Sequence, residues 1–366
     1  MSTSMVNHEQ FLKEVQKGNT EAVQSLTSNL SESQLIALLH YSHKKSGDQA
    51  IHIAARHGHL DILSYLGTLG VDFEAANLEG KRALHEAAMS GWSQCVSYLL
   101  KKGVCVDPLK RADWTPLHLA CTKPNEPVIE VLVSHGAKPE LQNKDGWNAF
   151  HIACREGHRN ILEHLLSSNS TVWNTVSKNG RTPLHTIALH GRLEACELVL
   201  TKCSYKTDDT DSCGSTPLMD SLRAGFIDVA EILIQKHKAD VMKEDVLTRT
   251  SLHLAAEAGQ EISVTFLVRK HNVPLNIATK HGLTPMHLAA KEGHAHVIST
   301  LIQLGADVNQ YDNKGTTALH VAAGSNKADS VKALISNGAT QRVDNSGHTP
   351  QKLTKSQEIM ELLGSL

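Results

Sequence analysis

Two indoles and a set of cations recur along this chain at one spacing. Trp114 and Trp147 stand 33 residues apart, and Lys81 and Arg181 fall at the equivalent places before and after them. Lys110, Arg111, Lys144 and Lys178 gather at the same turns, with Lys123 and Arg155 on the segments that follow. Trp mixed with Arg or Lys is the combination enriched where binding energy concentrates. A cation over an indole is worth ~0.5–2 kcal/mol, and Lys and Arg clusters also accept phosphate-bearing ligands. The chemistry on offer is recognition by a basic stripe with two aromatic interruptions. The sequence leaves open a blander reading, in which each indole packs on its neighbour's turn and the charges are solvated.

A repeat must position these residues. Histidine falls at 52, 85, 118, 151, 185, 253, 287 and 320, with Met219 in the one vacant slot, so every step is 33 or 34 residues. The motif ending at each is clearest as Thr182-Pro183-Leu184-His185. Threonine caps a helix and proline's fixed φ suits its first turn. This period with this tetrapeptide resembles the ankyrin repeat family, which implies an all-α solenoid of stacked helix–turn–helix units with β-turn tips. Low aromatic content, 4% of residues, fits thin layers packed through Ala, Leu, Ile and Val.

The expected organisation is an N-terminal capping half-repeat and insertion over 1–46, nine repeats over 47–343, and a C-terminal capping repeat over 344–366. Within the first part, Phe11–Asn29 reads as helix–Gly18–helix, and a short helix is expected around Gln34–Leu39. Layers on the order of 10 Å apart would make a curved stack about 100 Å long. Pro124-Asn125, Met219, Thr248 and Asn326 depart from the repeat and mark either softer joints or simple drift.

Stacking consumes the periodic positions, so specificity belongs to the variable ones. The position before each threonine slot reads Asp48, Lys81, Trp114, Trp147, Arg181, Ser215, Arg249, Leu283 and Thr316. The partner-binding candidates are therefore Lys81, Arg111, Trp114, Lys123, Trp147, Arg155 and Arg181.

Other classes find little support. No catalytic motif, phosphate loop or dinucleotide fingerprint is present, so no enzyme and no cofactor are expected. The 23 histidines are explained by the repeat, and no His/Cys/Asp spacing suggests a metal. Seven cysteines without C-x-x-C spacing or a signal peptide point to a reducing compartment, cytoplasmic and additionally nuclear. No apolar run nears the ~20 residues that would span a bilayer, so no membrane partner is expected. RNA binding by the stripe is the least favoured reading, because a net charge of −2 lacks the usual basic excess. No direct nucleic-acid partner is expected, and a monomer is.

The segments LKRADWTPLHLACTKPN, NKDGWNAFHIACREG and GRTPLHTIALHGRLEAC resemble a particular group of ankyrin proteins, the cofactors of alanyl-tRNA synthetase. That resemblance implies a non-catalytic partner of the synthetase's catalytic domain that captures misactivated serine, as seryl-adenylate, on lysine side chains. Serine would thus be kept from the alanine tRNA. By the same resemblance the acceptors map near Lys110-Arg111, at Lys144 within NKDGW, and near Asn174–Lys178. Lys144, Lys110 and Lys178 are the acceptor candidates, taken as equivalent positions in three successive repeats. A plain protein-binding scaffold is the alternative.

Overall fold

The computed structural model describes residues 8–364. Contacts divide the chain into two units, the first ending at Lys178 and the second starting at Asn179. In the first unit, α1 (His8–Lys17) and α2 (Thr20–Thr27) form a pair, followed by a lone α3 (Glu32–Leu39). Four helix pairs follow: α4 (Ala50–His57) with α5 (Leu60–Thr68), α6 (Ala83–Ser90) with α7 (Ser93–Lys101), α8 (Pro116–Ala120) with α9 (Glu126–Ser134), and α10 (Ala149–Glu156) with α11 (Arg159–Ser168). The second unit holds six more. They are α12 (Pro183–Leu189) with α13 (Leu193–Lys202), α14 (Pro217–Ala224) with α15 (Ile227–His237), and α16 (Ser251–Glu257) with α17 (Glu261–His271). After these come α18 (Pro285–Glu292) with α19 (Ala295–Gln303), α20 (Ala318–Gly324) with α21 (Ala328–Ser336), and α22 (Pro350–Leu353) with α23 (Gln357–Gly364). Among the described residues there is no sheet, only two isolated antiparallel bridges, Lys110 to Trp114 and Tyr311 to Thr317. The all-α expectation holds, and no described helix is long and apolar enough to cross a membrane.

The motif histidine shows why each layer sits where it does. Thr182 takes the backbone N–H of His185 on its hydroxyl, capping α12. His185 Nδ1 in turn accepts the Thr182 N–H at 3.2 Å. Nε2 therefore carries the ring proton and donates to the Ser215 carbonyl, 2.9 Å away at the next turn. The same bridge recurs from His52 to Lys81 O, His85 to Trp114 O and His118 to Trp147 O. Each ring is used twice, once as a cap and once as a tie between layers. Both nitrogens are thus committed, and burial holds His85, His118, His185 and His253 at about 4, well below an ordinary histidine.

Ahead of each first helix from α4 onward stands a hairpin turn, here called a finger. In the fourth repeat the Asn143 side chain accepts the N–H groups of Asp145 and Trp147, and Asn143 N–H bonds the Trp147 carbonyl at 2.8 Å. Gly146 takes φ +78°, and a Cβ there would meet Lys178 N at 2.8 Å, so glycine answers both the turn and the neighbour's approach. In the first unit the fingers stack through one backbone bond each. Leu78 N–H donates to Ser46 O, Arg111 to Glu79 O, Lys144 to Ala112 O and Lys178 to Asp145 O, all at 2.9–3.0 Å.

Behind the fingers the core is built of small side chains. Ala87, Ala120 and Ala153 are fully buried, as are Cys121 and Cys154, which serve as small apolar groups. Leu63, Leu99, Leu132 and Leu165 fill the second-helix side. The departures resolve individually. Thr248 and Asn326 take the left-handed conformation that glycine holds elsewhere, at φ +58° and +54°. Pro124-Asn125 instead follows α8, which has only five residues. The insertion helix α3 starts two residues before the expected Gln34, at a capping box on Ser31.

Candidate functional site

The fingers settle which sequence positions are equivalent. Arg111, Lys144 and Lys178 each supply the N–H that bonds the preceding finger, so these three share one position. Lys110 does not belong with Lys144 and Lys178, as the sequence had suggested. It occupies the slot of Asn143 and pairs its N–H with the Trp114 carbonyl at 3.0 Å. The third finger lacks the usual glycine and turns through Ala112 and Asp113, both left-handed at φ +65° and +61°. The 33-residue step agrees, since Arg111 and not Lys110 stands one step before Lys144.

Lys144, Lys178 and Arg111 are exposed at the finger tips, whereas Lys110 is half-buried. Its ammonium lies 5.4 Å from the centre of the Trp114 ring. Burial pushes the Lys110 amine below the ordinary lysine value, and the positive charges of Lys81 and Arg111 push the same way, while Glu79 and Glu86 oppose them. Trp147 is the counterpart one finger on, with the Arg155 guanidinium 5.7 Å from its ring. Each indole rests against the motif histidine of its own repeat, Trp114 at 5.9 Å from His118 and Trp147 at 6.0 Å from His151. Both indoles are half-buried, open on one side and not sealed between layers. Lys123 is exposed in the turn after α8. Asn174 is exposed ahead of the fifth finger, outside the tip row.

Three of the expected cations are otherwise engaged, Arg155 with its neighbour Glu156 at 2.6 Å and two with buried acids. Lys81 reaches Glu79 at 3.1 Å and the buried Glu86 at 3.6 Å. Arg56 bonds the other oxygen of Glu86 at 2.9 Å and buried Asp48 at 2.8 Å, closing a network under the second finger. Arg181, in the second unit, pairs with Asp211 at 3.0 Å and closely with Asp220, whose carboxylate side chains are both largely covered. Arg249 does the same with Asp245 and Glu257. These cations neutralise buried carboxylates and are only partly available to a partner. One signal for the networks was present in the chain. Glu86 and Asp220 are acids just after the motif slot, where most repeats place Ile, Leu or Val.

Among the described residues no group of three or more His, Cys, Asp and Glu could hold a metal ion. The row offers aromatic faces, tip cations and one amine made less basic by its surroundings.

A family model described as ankyrin repeats in three copies matches residues 13–110, 106–175, 164–245, 243–312 and 304–363. The chain belongs to the ankyrin repeat family. The comparison with curated proteins found no match. Ankyrin repeats support a protein-binding scaffold role, and proteins of this family are generally non-catalytic interaction scaffolds. The first unit's finger row carries the two tryptophans, each with a cation over its ring.

Proposed function

We propose that this ankyrin protein is a non-catalytic cofactor of alanyl-tRNA synthetase, docking its catalytic domain on the finger row of the first unit and capturing misactivated serine on lysine. The reading rests on the likeness of its repeats to ankyrin repeat domain-containing protein 16. The observation that carries it on this chain is Lys110, an amine held half-buried beside Trp114 and below its ordinary basicity. A free lysine is almost wholly protonated at neutral pH, with a pKa of about 10.4. Lowering that value enlarges the fraction able to attack.

In the capture step the neutral Nζ attacks the carbonyl carbon of seryl-adenylate. A carbon–nitrogen bond forms, the bond to the phosphate oxygen breaks, AMP leaves with the electron pair, and the ammonium proton passes to solvent. The amide does not turn over, so each lysine acts once. Lys144 and Lys178, exposed at the tips, are the other two acceptors. The proposed compartment is the cytoplasm, with the nucleus additional, and the proposed state is a monomer.

Mass spectrometry after incubation with the synthetase, ATP and serine tests the step. Seryl-lysine at 110, 144 or 178 is expected, and none should form with alanine. Absence of the adduct, with the complex still detected by direct binding, rejects capture and leaves a plain scaffold. The pairing of Lys81 and Arg181 with internal acids favours that scaffold as the second reading, since it removes two cations from the face. The scaffold predicts that Lys144→Arg keeps full function, because the charge survives and the nucleophile does not.

A further inference from the structure

The finger row has an open end, and it lies beside a cavity the synthetase reading does not use. Each later finger of the first unit donates one N–H to the finger before it, but no described finger stands ahead of the first. That first finger is also wider than the rest. His43 N–H bonds Asp48 O and Gly47 N–H bonds His43 O, one residue more than between Asn77 and Lys81. The additional residue brings two lysines, Lys44 and Lys45, into the turn, and neither N–H is hydrogen-bonded among the described residues.

Against this edge lies a cavity of about 390 Å³, walled on one side by α1 and on the other by the run from Tyr41 to Lys45. Leu12 and Ile53 give it apolar surface, with Ile53 half-exposed although it follows a motif histidine. Its equivalents Leu119 and Ile152 are buried. The rim carries Lys13, Lys44 and Lys45, all exposed, against the single carboxylate of Glu9. Apolar floor, cationic rim and unused backbone donors are what a neighbouring finger would meet if one stood there.

We propose that this end of the row binds an acidic turn segment of a protein partner, stacking on the first finger in the place of a preceding one. A partner carbonyl takes an N–H of Lys44 or Lys45, an apolar side chain covers Leu12 and Ile53, and flanking carboxylates meet the three lysines. Backbone donors fix the register and the pocket selects the side chain, as in other edge additions. The size suits a short stretch of partner chain, since pockets that bury a whole small ligand run from ~300 Å³ upward. This chain's own residues 1–7, MSTSMVN, contain no carboxylate side chain and do not complement the rim. The proposal stands apart from the capture of serine.

The test uses the full chain and three fluorescein-labelled hexapeptides of one design: Ac-Glu-Asp-Leu-Asp-Gly-Glu-amide, a twin with Gln and Asn for the acids, and a twin with Lys for them. The acidic peptide is expected to bind at least tenfold tighter than the neutral twin, and to weaken as salt rises. Combining Lys13→Glu, Lys44→Glu and Lys45→Glu should reverse the preference, losing the acidic peptide by tenfold or more and gaining the lysine twin. That gain also shows that the variant is folded. Equal affinity for all three peptides, or an unchanged preference in the triple variant, overturns the proposal. So does acidic-peptide binding seen only after residues 2–7 are deleted, because the chain's own leading segment would then be the occupant.

Discussion

Among the residues that fill one slot of the repeat, the tryptophans and the arginines meet different fates. In the third and fourth fingers of the first unit it is Trp114 and Trp147, half-open with a cation over each ring. In the second unit it is Arg181 and Arg249, each locked onto two acids. The Trp114 and Trp147 carbonyls each accept a bond from the preceding motif histidine, His85 and His118, whereas Met219 stands where a histidine would reach Arg249. The arginines complete the protein's own electrostatics, while the indoles leave surface unsatisfied. Position within a repeat therefore does not define a binding face. What matters is whether the side chain there has already found its partner inside the molecule.

Acidification should separate the units most. The four strongly depressed histidines bind no proton when folded until pH falls to about 4, whereas unfolded ones titrate near 6.5. Between those values the unfolded chain holds more protons, so stability falls as pH falls, by about 1.4 kcal/mol per pH unit for each ring fully in that window. Asp220 works the other way. Burial raises it to about 7 despite Arg181, so its protonated form is favoured in the fold and its contribution grows as pH drops from 7 toward 4. Hydrogen exchange at pH 7 and pH 5 should show protection falling more in the first unit, with Asp220→Asn removing the second unit's advantage. Equal losses would break the contrast.

Removing the Arg181 side chain leaves Asp211 and Asp220 buried without their cation. Arg181→Ala should cost about 3 kcal/mol in denaturant unfolding, as for other broken buried pairs, and should leave binding on the first unit's row unchanged. The complementary change is Trp147→Ala. It should weaken the synthetase complex by about 2 kcal/mol, the scale of an interface hot spot, while costing less in unfolding than Arg181→Ala because the indole is half-open. If the two variants exchanged phenotypes, the comparison would be wrong. The smallest effect belongs to the third finger. Ala112→Gly relieves a left-handed alanine, and a gain of roughly 0.5–1 kcal/mol is expected in thermal unfolding.

Much of the scaffold was legible because it is periodic. Thr182, Pro183 and His185 specify a cap, a first turn and an interlayer bond within four residues, and all three do so in the structure. Thr248 could be recognised as a glycine substitute from spacing alone. The site was less legible, since its electrostatics join residues about 30 apart that no local pattern links. Arg56 with Glu86 and Arg181 with Asp211 are such pairs. The offset between Lys110 and Lys144 was legible by counting, because Ala112-Asp113 replaces Asp145-Gly146 at equal length. What spacing does not show is that both replacements are left-handed and that the Arg111 N–H bonds the neighbouring finger.

The single bond joining successive fingers has a consequence for how such a chain can change. In the first unit donor and acceptor are both main-chain groups, from Leu78 with Ser46 through Lys178 with Asp145, so the joint there is indifferent to side-chain identity, whereas the Lys280 N–H bonds the Thr248 hydroxyl. Excising one whole 33-residue module would bring together a donor and an acceptor of the same kind as those lost. Gene segments of that length can therefore be duplicated or dropped while the seam heals, and the lineage can try new tips without redesigning the spine.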